Sequence, residues 1–146
     1  MSSIETVENA ARVAREAAAG LVQAREERDQ AIRDARASGA TVTAIARAAG
    51  IGRSTAHAAL RAAPGVAVDG DPLAHVESTA QAWREADEAH AAANAELNKA
   101  VAQAMDGGTM SAVQVEKATG WTPARPYQAR DLGRALLAQD ANGPTA

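Results

Sequence analysis

Residues 41–61, TVTAIARAAGIGRSTAHAALR, decide how this chain folds. Thr41 is a helix-cap residue. The run Ala44-Ile45-Ala46-Arg47-Ala48-Ala49 is built from helix formers with one aliphatic plug. Gly50 is free to take the left-handed conformation that ends a helix. Ile51 follows as a second apolar plug, and a new helix opens at Arg53-Ser54-Thr55. In that helix Ala56, Ala59 and Leu60 share one face, while Arg53, Ser54, His57, Ala58 and Arg61 share the other. The reading is a short helix, a glycine turn and a second short helix crossing it steeply.

Composition extends this to the whole chain. Ala accounts for 41 of 146 residues, there is no Phe, and Tyr occurs once. Ala favours helix and the β-branched and aromatic strand formers are scarce, so the predicted fold class is all-α. Ala buries little area, so helices must approach closely or a partner chain must help. With no Cys there is no disulfide, thiolate zinc site or Cys nucleophile. No apolar run is long enough to span a membrane, and MSSIETVENA lacks a signal-peptide layout. A cytoplasmic protein is expected. The Ala/Arg/Gly-rich composition fits a GC-rich bacterial genome.

The long flanks read as helix. Residues from Ile4 to Ala37 hold no Pro and one internal Gly, Gly20, which either divides the helix or weakens it. Ile4, Val7, Ala11, Ala14, Ala18, Leu21, Ala24 and Arg28 recur at three- and four-residue steps. Glu26, Glu27, Arg28, Asp29, Arg33, Asp34 and Arg36 read as a mixed-charge outer face. This segment is either a scaffold helix or a dimerising coiled coil, though it lacks Leu/Ile heptads. PGVAVDGDP, residues 64–72, cannot continue a helix and reads as a linker. A second long helix is predicted from Ala74 to Met105, ended by Asp106-Gly107-Gly108. A short helix, a Gly-Trp turn and a last helix to Gln139 follow, with a flexible tail at 141–146.

The two halves repeat. A shift of 69 places Arg15-Glu16-Ala17 on Arg84-Glu85-Ala86, and Glu27, Ala31, Ile32, Ala35 and Gly39 on Glu96, Ala100, Val101, Ala104 and Gly108. A shift of 70 then places Thr41 on Ser111, Ile45 on Val115, Arg47 on Lys117, Ala48 on Ala118, Gly50 on Gly120, Ile51 on Trp121 and His57 on Tyr127. Ser111-Ala112-Val113-Gln114 has the spacing of a capping box. Thr122-Pro123 reads as a cap followed by a first-position proline. Two tandem helical modules are therefore predicted, each a long helix followed by a hairpin of short helices. Their bounds are 1–63 and 73–140, joined by 64–72.

Ile45, Ala46, Gly50 and Ile51, with Gly52-Arg53-Ser54-Thr55 after them, carry a resemblance. The stretch resembles the helix-turn-helix of resolvase C-terminal domains and small bacterial and phage repressors. That family has an aliphatic residue and Ala in the first helix, Gly at the turn and an apolar residue after it. It often has Ser where Gly52 stands. The second copy departs further. Glu116 stands where Ala is wanted, and Pro126 falls in the first turn of the last helix, where it removes an amide donor.

The resemblance implies that the second helix of the hairpin enters the major groove of double-stranded DNA. Arg53 then suits guanine, and Ser54, Thr55 and His57 suit a phosphate or a base edge. Arg47 and Arg61 suit phosphates, which position without specifying. In the second copy Lys117, Arg125, Tyr127, Gln128 and Arg130 take corresponding places, with Tyr127 equally suited to the core. Trp121 is expected in the core and Trp83 as an anchor between scaffold helices. The net charge of −3 argues against a nucleic-acid binder, but residues 39–63 carry Arg47, Arg53 and Arg61 and no acid.

The expected function is a sequence-specific DNA-binding regulator, nucleoid-associated, with a homodimer through the Ala-rich helices as a second partner. The alternatives are a helical protein-interaction module and a plasmid partition or centromere-binding protein. No enzyme activity, cofactor or metal is expected. There is no phosphate loop and no Ser/His/Asp set. His90, with Glu85, Asp87 and the nearby His75, falls short of a helical metal site.

Overall fold

The computed structural model describes residues 2–143 and is helical throughout, with no strand among the described residues. Six helices follow in order: α1 Ser3–Ala37, α2 Val42–Ala49, α3 Arg53–Ala62, α4 Pro72–Asp106, α5 Ala112–Thr119 and α6 Arg125–Ala141. No helix among the described residues is long and apolar enough to cross a membrane.

Local chemistry sets the helix ends. Ser2 and Glu5 form a reciprocal cap at the start of α1: the Ser2 hydroxyl accepts from the Glu5 amide at 3.2 Å, and the Glu5 carboxylate accepts from the Ser2 amide at 3.0 Å. Thr41 caps α2 by accepting from the Ala44 amide, and Ser111 and Gln114 form the full capping box of α5. Asp71 accepts from the amides of Leu73 and Ala74, which satisfies two free donors at the head of α4. Gly50 and Gly120 end α2 and α5 at φ 67° and 77°, where a side chain would be strained.

α1 runs undivided through Gly20, one of the two readings open for that residue. Several other expectations are corrected. Pro72 belongs to α4 as its first residue, where a missing amide costs nothing. The last helix starts at Arg125, not at Thr122-Pro123, which form a turn in which the Arg125 amide donates to the Thr122 carbonyl. Pro126 consequently sits within the first two helical positions, where its absent donor would be unpaired in any case. Arg33, read as an outer-face charge, is 4% exposed, and so is Arg28, which the spacing places on both the apolar stripe and the charged face. Ala141 closes α6 and Asn142 caps it, so the expected tail at 141–146 begins later; 144–146 lie outside the described residues.

Compact packing divides the chain into a unit of Ala19–Glu88 and a unit of Met1–Ala18 with Ala89–Ala146. The division cuts α1 and α4 and does not fall in the 64–72 stretch. In the 19–88 unit the core joins Ala31, Ile32 and Ala35 of α1, Ile45 and Ala49 of α2, Ala59 of α3, and Val76 and Ala80 of α4. In the other unit it joins Val7, Ala11 and Ala14 of α1, Leu97, Ala100, Val101 and Ala104 of α4, Met110 and Val115, and Ala129 of α6. Positions related by the 69–70 shift share burial: Val7 and Val76, Ile32 and Val101, and Ile45 and Val115 are all fully buried.

The 64–71 segment is tied to the end of α1. The Val66 amide donates to the Asp34 carboxylate at 2.9 Å and the Val68 amide to the Ser38 hydroxyl at 3.0 Å. Gly65 passes so near the Arg33 carbonyl that a Cβ would overlap it.

Candidate nucleic-acid interface

In the 19–88 unit, α2 and α3 pack against each other across Gly50–Gly52. Ile45, Ala46 and Ala49 of α2 face the core, as do Ala56 and Ala59 of α3. Amphipathic spacing therefore turns the other side of α3 outward. Arg53, Ser54, Thr55, His57 and Arg61 are all exposed, and so is Arg47 on α2. None of these three arginines forms an ion pair among the described residues.

The cap position before α3 is Gly52, which has no side chain to offer, so the first amides of the helix lack the partner that Thr41 supplies in α2. Such amides, with the positive end of the helix dipole, favour anions. Two arginines, Arg33 buried and Arg84 exposed, hold the backbone of the hairpin. Arg33 donates from Nη1 to the Ala59 carbonyl at 3.2 Å and from Nη2 to Glu26 at 2.8 Å. Arg84 donates from Nη1 to the Ala49 carbonyl at 3.3 Å, satisfying an acceptor at the end of α2.

The 89–146 portion of the other unit places its candidates differently. Lys117, Tyr127 and Gln128 are exposed, whereas Arg125 and Arg130 are half-buried. The Arg125 guanidinium stacks over Trp121 at 5.2 Å and that of Arg130 over Tyr127 at 5.4 Å. Arg130 also pairs with Asp131 at 3.4 Å. Pro126 and Ala129 are buried, in step with Ala56 and Ala59 seventy positions earlier. Glu116 is half-buried where Ala46 is buried. Trp121 packs against the core of its unit, and Tyr127 lies at the surface with 49% exposure.

Arg134 and Asp106 form a two-pronged pair at 2.7 and 2.5 Å. The Arg134 guanidinium holds the Asp106 carboxyl below the usual carboxylate range, and Asp106 in turn raises Arg134. Lys99 is raised by Asp140, at 2.7 Å, and by Glu96. These pairs brace α6 against α4 and leave those charges committed. His90 shares its ring nitrogen with Asn94 at 3.2 Å rather than with a carboxylate.

One grouping of residues did not stand out in the sequence, although Arg28, Trp83 and Asp87 did so singly. Arg25, Arg28, Trp83 and Asp87 line a cavity of about 500 Å³ that also includes Gly52 and Thr55 at the head of α3. The legible signal was the position of Arg28 on the apolar stripe of α1, where the repeat has Leu97.

Compared with models of known protein families, with curated proteins and with solved structures, the chain matches none.

Proposed function

We propose that this chain is a sequence-specific double-stranded DNA-binding protein, a transcriptional regulator of bacterial, phage or plasmid type. The observation that carries the reading is the outer face of the 41–61 hairpin. Arg47, Arg53, Ser54, Thr55, His57 and Arg61 are exposed together, without an acidic residue in 39–63 to oppose them. A local basic face matters more for DNA than the net charge of the whole chain. Arg53, at the helix start, suits bidentate contact with guanine, and Arg47 and Arg61 suit phosphates.

The second hairpin is proposed as a weaker head. Lys117 and Gln128 are exposed for contact, but Arg125 and Arg130 lie over aromatic rings and Arg130 has a carboxylate partner. Two unlike heads suit an asymmetric site. The same surface suits a plasmid partition protein that binds a centromere-like site. A protein-interaction role, with the second hairpin or the long helices holding a partner or another copy, is favoured by the committed charges on α6.

Selection from a pool of random duplexes, followed by anisotropy titration at varied salt, tests the reading. Binding through phosphates predicts an enriched sequence and an affinity that falls steeply with salt. Absence of enrichment at low salt overturns it.

A further inference from the structure

We infer that the 19–88 unit holds a binding site for a small aryl carboxylate, in the cavity between α1, α4 and the head of α3. The site is a feature of this unit alone and does not depend on DNA binding.

The cavity measures about 500 Å³, the size of a small-molecule site. Its donors outnumber its acceptors. Arg28 has a side chain only 5% exposed; its Nε and Nη2 donate to Asp29, and Nη1 has no hydrogen-bond acceptor among the described residues. Arg25, the Thr55 hydroxyl and the uncapped start of α3 at Gly52 line the same space. Asp87 is the one carboxylate in the lining. Donors in this arrangement suit a carboxylate. Leu21, Ile51 and Trp83 supply an apolar wall, which a bare inorganic anion would leave unused.

The repeat shows that a buried arginine at this position is not required by the fold. The other unit has a cavity in the matching place, lined by Leu97 where Arg28 stands, Trp121 where Ile51 stands, Asn94 where Arg25 stands and Arg125 where Thr55 stands, with Arg15 beside them. It is only about 170 Å³. Leu97 is 4% exposed, as Arg28 is, so an apolar side chain packs well at this position. A buried arginine is expensive to desolvate, and a hydrophobic residue of similar size commonly does as well or better for stability. Asp29 and the Trp83 ring hold the Arg28 guanidinium in place, and an anionic ligand would take the remaining Nη1.

The test is a titration of the whole chain with benzoate, followed by the indole N–H signals of Trp83 and Trp121, which Trp121→Phe assigns. Benzoate is expected to shift the Trp83 signal in a saturable way and to leave Trp121 unmoved. Benzamide, neutral and of the same shape, and inorganic phosphate, an anion without the ring, are expected to give no saturable shift. Arg28→Leu, whose fold is checked by circular dichroism, is expected to weaken benzoate binding by about tenfold or more, as loss of a charge-assisted hydrogen bond implies. Arg25→Gln, at an exposed position, is expected to weaken it less and serves if Arg28→Leu does not fold. A shift that is absent with benzoate, equal with benzamide or phosphate, or unchanged in the arginine variants overturns the proposal.

Discussion

Gly133 of α6 lies directly against the Asn98 carbonyl of α4, so a Cβ there would overlap that oxygen and sit 2.8 Å from the Ala102 Cβ. Neither neighbour can swing away, because one is backbone and the other a methyl on a buried stretch of helix. Gly133→Ala is expected to destabilise the protein by ~1–3 kcal/mol through overpacking. Gly65→Ala should do the same, against the Arg33 backbone. Gly20→Ala is the contrast, since nothing lies within 4 Å of its Cβ and it is exposed in mid-helix. It should stabilise by ~0.5–1 kcal/mol. Urea denaturation of the three variants checks the order; a destabilised Gly20→Ala would contradict the continuous α1.

The Arg28 guanidinium lies 4.7 Å from the centroid of the Trp83 ring. Trp83 is half-buried, so Trp83→Ala should cost about 2 kcal/mol, below the range for fully buried aromatics. Arg28→Leu should change stability far less, because Leu fills the volume and removes a desolvated charge. Thermal melts distinguish the two. A loss in Arg28→Leu as large as in Trp83→Ala would make Arg28 a structural residue first.

Asp106 provides a pH prediction. Arg134 lowers its folded pKa below the unfolded value, so the pair stabilises the fold above the unfolded carboxylate pKa. That contribution is lost as pH falls through the folded pKa. Asp106→Asn should therefore lower Tm at neutral pH and converge with the parent in strong acid. High salt should shrink the difference, because both side chains are substantially exposed. A gap that is constant from neutral to acid pH would assign the effect to packing.

Arg53→Ala is expected to relax preference at one base pair and cost ~1–3 kcal/mol at the selected site. Arg47→Ala should weaken all sequences alike and reduce the salt slope by about 1. Arg125→Ala should do less than Arg53→Ala, because its guanidinium is engaged with Trp121. Anisotropy against the selected duplex and a scrambled one reads all three. Equal losses for Arg53→Ala on both duplexes would remove it from base recognition.

The sequence by itself determined the elements and most of their ends. Caps and glycine turns act over a few residues, so Thr41, Gly50, Ser111, Gly120 and the 64–71 segment were legible as written. Composition was enough for an all-helical chain, and spacing was enough to turn Ala56 and Ala59 inward and Arg53, His57 and Arg61 outward. Local spacing also misled. A cap and proline at Thr122-Pro123 looked like a helix start, but α6 begins at Arg125, where Pro126 can be buried against the core. Only the tertiary structure decided that Arg28 and Arg33 are interior, since both depend on partners far away in the chain, Trp83 and the Ala59 carbonyl. It also decided which segments share a core. Val76 packs with Ile32 and Ile45, and Val7 with Val101 and Val115, because burial of small side chains rewards close helix approach regardless of order along the chain.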